Sequence, residues 1–424
     1  MLQIGSFRRH AGGRGGHASA PGHCGAPRVR SHALLVISAL LALASAPARS
    51  FDIVYAESNS TAGNSILSFE NDGTGALHFL GSTPAGGIGV FDPSFALGPF
   101  DSDQNVQVNA DRALLFAVNS GSNSIAAFQI DGSGGLTPVS GSPFASGGVD
   151  PVSIGLSGDV LTVVNKDQDP SQNPNPTLPN YTTFRVGDDG SLAAIANSTA
   201  SVAYGSSPSQ AAIAGVGRFV FGADFFGGLL QSFQLDGAGR LHPNAPQTPP
   251  ASIYAGTAAP HFPLGLRAHP TQQILYVDLV TVSQVAVYRY DEEGTLQFVR
   301  TVADPGAGPC WAITNHNGTR LYVINTGDTS VAVYDLTHPL NPKPLQHFAM
   351  VVTNGNPFSA VIDKADEFIY VSGEQSTPTS TASANVIHTL KVAPDGTLTE
   401  PYAPTVLPIS GLARAQGVAV YSLH

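Results

Sequence analysis

The sequence has little cysteine and little charge. Two cysteines, Cys24 and Cys310, occur in 424 residues, and only 12% of the residues are charged. One disulfide is the most that two thiols allow, so a disulfide-rich scaffold is excluded. The chain has many turn formers instead, with 46 glycines and 32 prolines. Few charges beside many turn formers are typical of an all-β protein with many short strands.

The apolar run at residues 33–46 is too short to span a bilayer comfortably, because a spanning helix needs about 20 residues. The first 50 residues contain six arginines and no acidic residue, and Ala44, Ala46 and Ala48 offer the small-x-small pattern of a signal peptidase site. We predict that residues 1–50 are a leader with a cleaved export signal. The mature chain would then be periplasmic or extracellular, without stable membrane insertion. A retained anchor is the alternative to cleavage. Because the segment before the apolar run is unusually long, Val29 is a candidate for the true translation start.

Positive charge becomes scarce once this leader is removed. The remaining chain has 13 lysines and arginines against 30 aspartates and glutamates, a net charge of about −17. This sign excludes nucleic acid as the natural partner, since phosphate binding needs a basic surface. Cleavage also removes Cys24, so sheet packing has to stabilise the mature fold without a disulfide. We expect a monomer without a cofactor.

A hairpin pattern recurs seven times along residues 51–424. It consists of an acidic residue and glycine followed closely by leucine, with one copy altered by proline. The copies begin at Asp72, Asp131, Asp189, Asp236, Glu293, Asn341 and Asp395. Asp-Gly between alternating apolar runs favours a β-hairpin, because glycine tolerates positive φ. Strand-only repeats about 45–60 residues apart are typical of propeller blades. We therefore predict one seven-bladed β-propeller over residues 51–424.

The two ends of the predicted propeller complement each other. Six repeats begin with an apolar inner strand, but the first starts abruptly at Phe51 with what is the second strand elsewhere. Residues 416–421 form an apolar strand pattern with no repeat after it. We predict that this C-terminal strand completes the first blade and closes the ring, leaving no exposed sheet edge.

A polar residue lies at or just after the end of each predicted second strand. In a propeller these positions gather around the axis on one face, where loops on a rigid scaffold carry ligand chemistry. The residues are Glu57, Asn119, Asn165, Asp224, Asp278, Asn325 and Glu374. We predict a polar, acidic channel mouth that binds a ligand. The alternative is that these side chains cap strand ends and loop amides.

The segment 166–180 is the largest insertion between strands and contains four prolines. Proline restricts it to extended geometry, so we predict a stiff flap beside the axis, with Lys166 as a candidate binding residue. Asn165, Asp167 and Asp169 alternate as oxygen ligands, but the glycine and the distal glutamate of a calcium loop are missing. No metal site is predicted. The chain also lacks Gly-x-Ser-x-Gly, His-Glu-x-x-His and phosphate-loop motifs.

Two stretches carry a resemblance to a known family. Residues 305–311 (PGAGPCW) and 317–326 (NGTRLYVINT) are similar to the seven-bladed lactonase family, which includes propeller-type 6-phosphogluconolactonase and 3-carboxy-cis,cis-muconate lactonising enzyme. The resemblance covers roughly residues 52–424, and the Tyr-Val-x-Asn strands also resemble YVTN-type surface propellers. It implies a seven-bladed propeller with lactone chemistry, and it implies that Cys310, Trp311, Asn325 and Thr326 lie at the substrate site.

The chain departs from the family's pattern within that implied site. The family usually has Arg-His where this chain has Cys310-Trp311, and Asn-Glu where it has Asn325-Thr326. An arginine after the following second strand is replaced around Glu374. The histidine that precedes an inner strand is kept as His261, which the resemblance implies as an acid or base.

Two functions therefore remain open. One is a diverged, exported propeller that binds a small molecule, a glycan or an extracellular protein on its channel face. The other is an active lactonase or cycloisomerase in which His261 is the acid or base and the substrate is a neutral or cationic lactone. Arg267, His269 and His316 are close in sequence and could replace the missing groups, or they are ordinary residues on turns after inner strands.

Overall fold

The computed structural model describes residues 51–91, 102–168, 177–256, 262–375 and 384–423. Two units are distinguished along the chain, Met1–Ala48 and Arg49–His424, and every described residue belongs to the second. Within the described part of the chain, no helix has both the length and the apolar character needed to cross a membrane.

The described residues form 31 β-strands and four short 3-10 helices. The strands are β1 (Phe51–Glu57), β2 (Ser65–Asn71), β3 (Leu77–Pro84), β4 (Val106–Asn109), β5 (Leu114–Asn119), β6 (Ser124–Ile130), β7 (Leu136–Pro138), β8 (Phe144–Ala145), β9 (Pro151–Ser157), β10 (Val160–Asn165), β11 (Asn180–Val186), β12 (Leu192–Ala194), β13 (Ala200–Ser201), β14 (Ala212–Ala214), β15 (Phe219–Asp224), β16 (Leu229–Leu235), β17 (Leu241–Pro243), β18 (Pro263–Ala268), β19 (Ile274–Leu279), β20 (Gln284–Tyr290), β21 (Leu296–Ala303), β22 (Pro309–Thr314), β23 (Arg320–Asn325), β24 (Ser330–Asp335), β25 (Lys343–Ala349), β26 (Gly355–Ile362), β27 (Phe368–Gln375), β28 (Val386–Val392), β29 (Leu398–Thr399), β30 (Thr405–Val406) and β31 (Gln416–Leu423). The 3-10 helices are Ala110–Arg112, Ser120–Ser122, Ala251–Tyr254 and Val280–Val282.

The strands make seven antiparallel sheets, each of which is one blade. Blade 1 has the order β31-β1-β2-β3, and blades 2 to 7 are β4–β7, β9–β12, β14–β17, β18–β21, β22–β25 and β26–β29. Three blades gain a short extra strand, since β8 pairs with β6, β13 with β11 and β30 with β28. The predicted all-β, seven-bladed propeller is confirmed.

The ring is closed as predicted, by the C-terminal strand. β31 pairs with β1 in an antiparallel register that joins Ile53 to Tyr421 and Tyr55 to Ala419. One sheet is thereby made from both ends of the described fold. The closure protects edges that would otherwise be free to recruit another chain.

The second strands are apolar on both faces because each blade is packed between two neighbours. β5 (LLFAVN) and β10 (VLTVVN) are buried along their whole length. Between these two blades Phe116, Ile154 and Phe184 belong to one apolar cluster. Burial of such side chains contributes about 25 cal/mol for each Å² of apolar surface, so packing between blades stabilises the ring.

The acidic hairpin turns differ in detail from the prediction. Glycine carries the positive φ two residues later than expected in blades 2 and 4, at Gly134 (81°) and Gly239 (84°). The aspartate side chain fixes the turn instead: Asp131 Oδ1 accepts hydrogen bonds from the amides of residues 133 and 135 at 2.8 and 2.9 Å. In blades 5 and 6 this acceptor is Asp291 and Asp335, rather than the predicted Glu293 and Asn341.

Candidate functional site

The polar residues at the ends of the second strands are all buried. We name six of them the strand-end ring: Glu57, Asn119, Asn165, Asp224, Asn325 and Glu374. Each terminates or nearly terminates the second strand of its blade, and each is 0% exposed. Within the described part of the chain, these six side chains are therefore enclosed by the protein.

Two of the ring asparagines connect neighbouring blades by hydrogen bonds. Asn119 Nδ2 donates to the carbonyl oxygen of Ala85 in the preceding blade at 3.2 Å. Asn165 Nδ2 donates to the carbonyl oxygen of Ser146 at 3.1 Å, again in the preceding blade. A Cβ on Gly87 would lie 2.6 Å from the Asn119 side chain, so a larger residue there would have to displace it. These contacts are those of caps, the second of the two interpretations of the sequence.

The two aspartates assigned to this face occupy different environments. Asp224 Oδ1 accepts hydrogen bonds from the amides of Ser207 and Gly227, each at 2.8 Å. Asp278 lies inside β19, one residue before its end, whereas the sequence pattern placed it after the strand. It is 0% exposed, and no described residue donates a hydrogen bond to either carboxyl oxygen. Burial, with a smaller contribution from Asp304, raises the pKa of Asp278 well above its usual range.

A buried ion pair lies where blades 1 and 7 meet. Arg414, just before β31, contacts Glu374 with 3.2 Å between Nε and Oε2, and its guanidinium lies 5.0 Å from the centre of the Phe358 ring. Glu57 is next to this pair and accepts a hydrogen bond from Asn64 Nδ2 at 2.5 Å. Burial raises the pKa of Glu57 well above normal, and the charge of Glu374 adds to the effect. Arg414 was not among the predicted residues, because its only signal in the sequence is its position before the closing strand.

The residues at the departures from the family pattern are also packed or bonded within the fold. Trp311 is 0% exposed and belongs to the apolar cluster around Phe358. Cys310 Sγ lies 3.3 Å from the carbonyl oxygen of Gly308. Thr326 Oγ1 donates to the carbonyl oxygen of Pro357 at 2.7 Å. Their assignment to a substrate site stays a prediction.

Two further predictions concern segments at the limits of the described residues. Lys166 is fully buried, and its Nζ lies 3.5 Å from Ser102 Oγ. The central part of the predicted flap, residues 169–176, lies outside the described residues. His261 also lies outside them. Among the described residues, no group of three or more histidine, cysteine, aspartate or glutamate side chains could hold a metal ion.

A second set of polar side chains, separate from the strand-end ring, lies around the propeller axis. The inner strands enclose a cavity of about 200 Å³, to which six of the seven blades contribute. We call it the axial cavity. A wider cavity of about 410 Å³ opens beside it at the inner-strand turns and shares several of its side chains. The polar lining residues of the axial cavity are Asp103, Gln104, Gln107, Gln210, Arg267 and His316.

Arg267 supplies the cationic group of the axial cavity. It lies on the inner strand β18, and its Nε donates to Thr314 Oγ1 at 3.2 Å. The rest of its guanidinium has no hydrogen bond to a described residue. Burial lowers the pKa of Arg267, and the charge of Asp103 opposes that shift. No direct ion pair joins these two side chains in the described part of the chain, and both line the axial cavity.

Asp103 is a buried carboxyl with a perturbed acidity. Burial raises its pKa to about 6, while the Gln104 amide and the Arg267 charge act in the opposite direction. The Gln104 amide donates to Asp103 Oδ1 at 2.8 Å. Its ionisation therefore changes close to neutral pH, and the charge facing Arg267 changes with it. No motif marked Asp103 in the sequence.

Amide side chains complete the lining. Gln210 Nε2 donates to Gln104 Oε1 at 2.8 Å, and Gln210 Oε1 accepts from the Leu266 amide at 2.8 Å. Gln104 Nε2 donates to the carbonyl oxygen of Ile154 at 3.2 Å. The glutamines are therefore held in place from several blades and offer donors and acceptors for hydroxyl groups.

The two candidate histidines differ in their surroundings. His269 is 5% exposed and connects two turns: Nδ1 accepts from the Thr271 amide at 3.2 Å, and Nε2 lies 3.1 Å from the Gly318 carbonyl oxygen. Burial lowers its pKa, so the ring is held neutral and structural. His316 lines the axial cavity and pairs with Asp366, with 2.6 Å between Nδ1 and Oδ1.

The fold and the cavity together define a closed seven-bladed propeller with a polar site on its axis. In comparison with known families, the Lactonase, 7-bladed beta-propeller family matches residues 179–403, which is more than half of the chain. The protein belongs to the seven-bladed β-propeller lactonase family. The family resemblance found in the sequence is confirmed.

Solved structures show the same fold at low sequence identity. A candidate 6-phosphogluconolactonase from Bacteroides uniformis has a TM-score of 0.64 and 15% identity, covering 88% of this chain and 99% of its own. The periplasmic gluconolactonase of Pseudomonas aeruginosa has a TM-score of 0.61 and 16% identity, covering 88% of this chain and 100% of its own. No curated protein matches the chain in sequence. These identities establish a shared fold and nothing finer.

Proposed function

We propose that this protein is an exported, diverged member of the lactonase family that binds a small polar ligand, a sugar acid or its lactone, in the axial cavity. The observation that carries the proposal is Arg267, a guanidinium on the axis with one hydrogen bond to a described residue. Arginine pairs well with carboxylates and polarises carbonyl groups, because its donors form a planar fork. Gln104 and Gln210 add partners for hydroxyl groups.

The size of the cavity supports a small ligand. Pockets for drug-sized molecules have roughly 300–1,000 Å³, and the axial cavity has about 200 Å³. This volume suits a monosaccharide-sized molecule better than a glycan chain or a protein loop. The strand-end ring is a weaker candidate because its side chains are buried and Asn119 and Asn165 bond neighbouring blades.

Calorimetric titration with gluconate and with glucono-1,5-lactone tests this proposal. We expect Arg267→Gln to weaken binding at least about tenfold, because a charge-assisted contact is lost. Arg289→Gln is the matched control, since Arg289 is exposed on β20, the third strand of the same blade, and does not line the axial cavity. Equal affinity in the wild type and Arg267→Gln, or no binding of either compound, would overturn the assignment.

A second candidate function is catalysis of lactone hydrolysis or formation. It is favoured by the same Arg267, because a cation beside the carbonyl group stabilises the oxyanion that forms on ring opening. The family resemblance makes His261 the acid or base of this reaction. Turnover of a panel of neutral and acidic lactones, compared between the wild type and His261→Ala, tests it. Turnover that is unaffected by the substitution would remove His261 from the mechanism.

Export is the remaining part of the proposal. It is supported by the arginine-rich leader, the apolar run and the small residues at positions 44, 46 and 48. N-terminal sequencing of protein from separated cell fractions tests it. We expect a mature chain that begins within a few residues of Phe51, outside the cytoplasm, and a cytoplasmic chain that begins at Met1 would contradict export.

A further inference from the structure

His316 shares the axial cavity with the cationic group on which the proposed function rests. It follows the inner strand β22, in the turn toward β23, and lines the cavity together with Arg267 and Asp103. The histidine and a cation that can hold a carbonyl oxygen therefore line the same cavity. This is the pair of groups that hydrolysis of an ester or lactone requires: a proton acceptor and a site for negative charge.

Asp366 fixes the orientation of His316. It lies in the turn between β26 and β27 of the next blade and accepts from His316 Nδ1 with 2.6 Å between Nδ1 and Oδ1. The backbone amide of His316 also donates to both carboxyl oxygens of Asp366, at 3.2 and 3.3 Å. Asp366 has a φ of 58°, a left-handed conformation that is uncommon for a residue other than glycine. Three contacts across a blade boundary thus hold the imidazole in one position.

This arrangement selects the tautomer of the imidazole. In the neutral ring, the proton that donates to the Asp366 carboxylate is on Nδ1, and the lone pair is then on Nε2. No described residue forms a hydrogen bond with Nε2. A carboxylate that holds Nδ1–H while Nε2 accepts a proton is the arrangement that hydrolytic enzymes on unrelated folds use for a general base.

We propose that His316 is a general base for lactone hydrolysis in the axial cavity, that Asp366 is its positioning residue, and that Arg267 binds the carbonyl oxygen. The proposal rests on the proposed function, because it needs a lactone in that cavity. Nε2 takes a proton from water as the water oxygen bonds to the carbonyl carbon. The tetrahedral intermediate then expels the ring oxygen, which takes the proton from Nε2. One lactone and one water give one hydroxy acid, with no redox change.

The chain provides a matched control for this pair. His242 contacts Asp236 with 2.9 Å between Nε2 and Oδ2, on and beside the outer strand β17. Both side chains belong to blade 4, whereas His316 belongs to blade 6, and neither of them lines the axial cavity. An exposed histidine paired with an aspartate therefore occurs both in the cavity and on the outer surface.

Hydrolysis and binding are measured on the same purified proteins. Wild-type protein is assayed with glucono-1,5-lactone and a panel of neutral lactones, with the rate of spontaneous hydrolysis subtracted. We expect His316→Gln to lower kcat about 100-fold or more, as loss of a general base does, while the Kd for gluconate changes less than about threefold. His242→Gln should leave both quantities unchanged. Asp366→Asn should lower kcat about tenfold, and added imidazole should restore part of the turnover of His316→Ala, which a purely structural role would not allow.

The outcomes separate this inference from the proposed function. If gluconate binds through Arg267 but no lactone in the panel is hydrolysed, or if His316→Gln turns over at the wild-type rate, the general base is overturned and the binding function stands. If turnover depends on His316 but not on Arg267, and gluconate does not bind, His316 is supported as the base, while the contact of Arg267 with the carbonyl oxygen and the binding proposal both fail. Loss of turnover in His242→Gln equal to that in His316→Gln would also overturn the inference.

Discussion

The strand-end ring and the axial cavity are both polar, and both take residues from several blades, but they use their polar groups differently. In the ring, Asn119 and Asn165 bond the carbonyl oxygens of the preceding blade and are fully buried. In the cavity, Arg267 forms one hydrogen bond to a described residue and borders open space. A polar residue near a propeller axis is a binding candidate where the fold leaves some of its donors or acceptors unused.

Removal of β31, the closing strand, should disrupt both the strand-end ring and the axial cavity. Val418 and Ala419 of β31 line the axial cavity, and Gln416 pairs with Glu57 of the strand-end ring. We expect a chain that ends at Leu412 to lose cooperative unfolding, because β1 and the inner side of blade 1 would be left unpaired. Circular dichroism during thermal unfolding measures this. A truncated chain with the transition temperature of the full chain would contradict the ring closure.

Substitution in the ring should lower the stability of the fold, whereas substitution of Arg267 in the cavity should not. Asn119→Ala removes the hydrogen bonds to Ala85 and Ser124 and the one accepted from Asn64. We expect a loss of about 3 to 4 kcal/mol in the free energy of unfolding, because buried partners are left unsatisfied. Urea unfolding gives the value.

Arg267→Gln is the control for this measurement. It should change the free energy of unfolding by less than about 1 kcal/mol, since the side chain borders the cavity and has few bonds to lose. Equal losses in the two variants would remove the distinction between the ring and the cavity.

The raised pKa of Asp103 should make the cavity sensitive to pH. Burial raises this pKa from 3.8 to about 6. The folded state therefore holds the proton more tightly, and the stability from this group is complete below about pH 4 and lost as pH rises through about 6. We expect the free energy of unfolding of Asp103→Asn, relative to wild type, to rise by roughly 2 to 3 kcal/mol between pH 4 and pH 7.

The difference in the free energy of unfolding between Asp103→Asn and the wild type reports on Asp103 alone, because the contributions of other buried carboxyls cancel. Asp363 also has a pKa raised, to about 7, and it contributes in the same direction in both proteins. Chemical unfolding at a series of pH values gives both curves. A constant difference between the two proteins would show that Asp103 does not titrate in this window.

The smallest expected change is in the fluorescence of Trp311, the chain's single tryptophan, when a ligand binds. Its side chain is buried in the apolar cluster and does not line the axial cavity. We expect its fluorescence to resist quenching by iodide and to change little when gluconate binds. A strong change on binding would place the ligand next to Trp311 and favour the site implied by the family pattern.

Much of the fold could be predicted because its determinants repeat locally. Apolar triplets such as those around Leu115 and Val163 mark second strands, and the unmatched strand at residues 416–421 required a partner at the other end. The turn details were less predictable, since Asp291 rather than Glu293 accepts the amide bonds in blade 5. Spacing alone does not show which acidic side chain reaches the turn amides.

The candidate site was less predictable because it depends on contacts far apart in the chain. Asp103 and Arg267 face the same cavity from blades 2 and 5. His316 and Asp366 are 50 residues apart and meet only because blades 6 and 7 are adjacent. Arg414 reaches Glu374 through the closure of the ring. None of these pairs forms a motif in the sequence.

The sequence by itself determined a seven-bladed propeller closed by its last strand, because strand periodicity and repeat spacing are local properties. The lactonase family was indicated by the resemblance of residues 305–311 and 317–326. The tertiary structure decided which polar side chains are consumed as caps and which border the axis. The physical reason is that burial and hydrogen-bond satisfaction depend on neighbours from other blades. Asn119 and Arg267 are both polar residues near the axis, and only folding shows that one bonds the adjacent blade while the other faces the cavity.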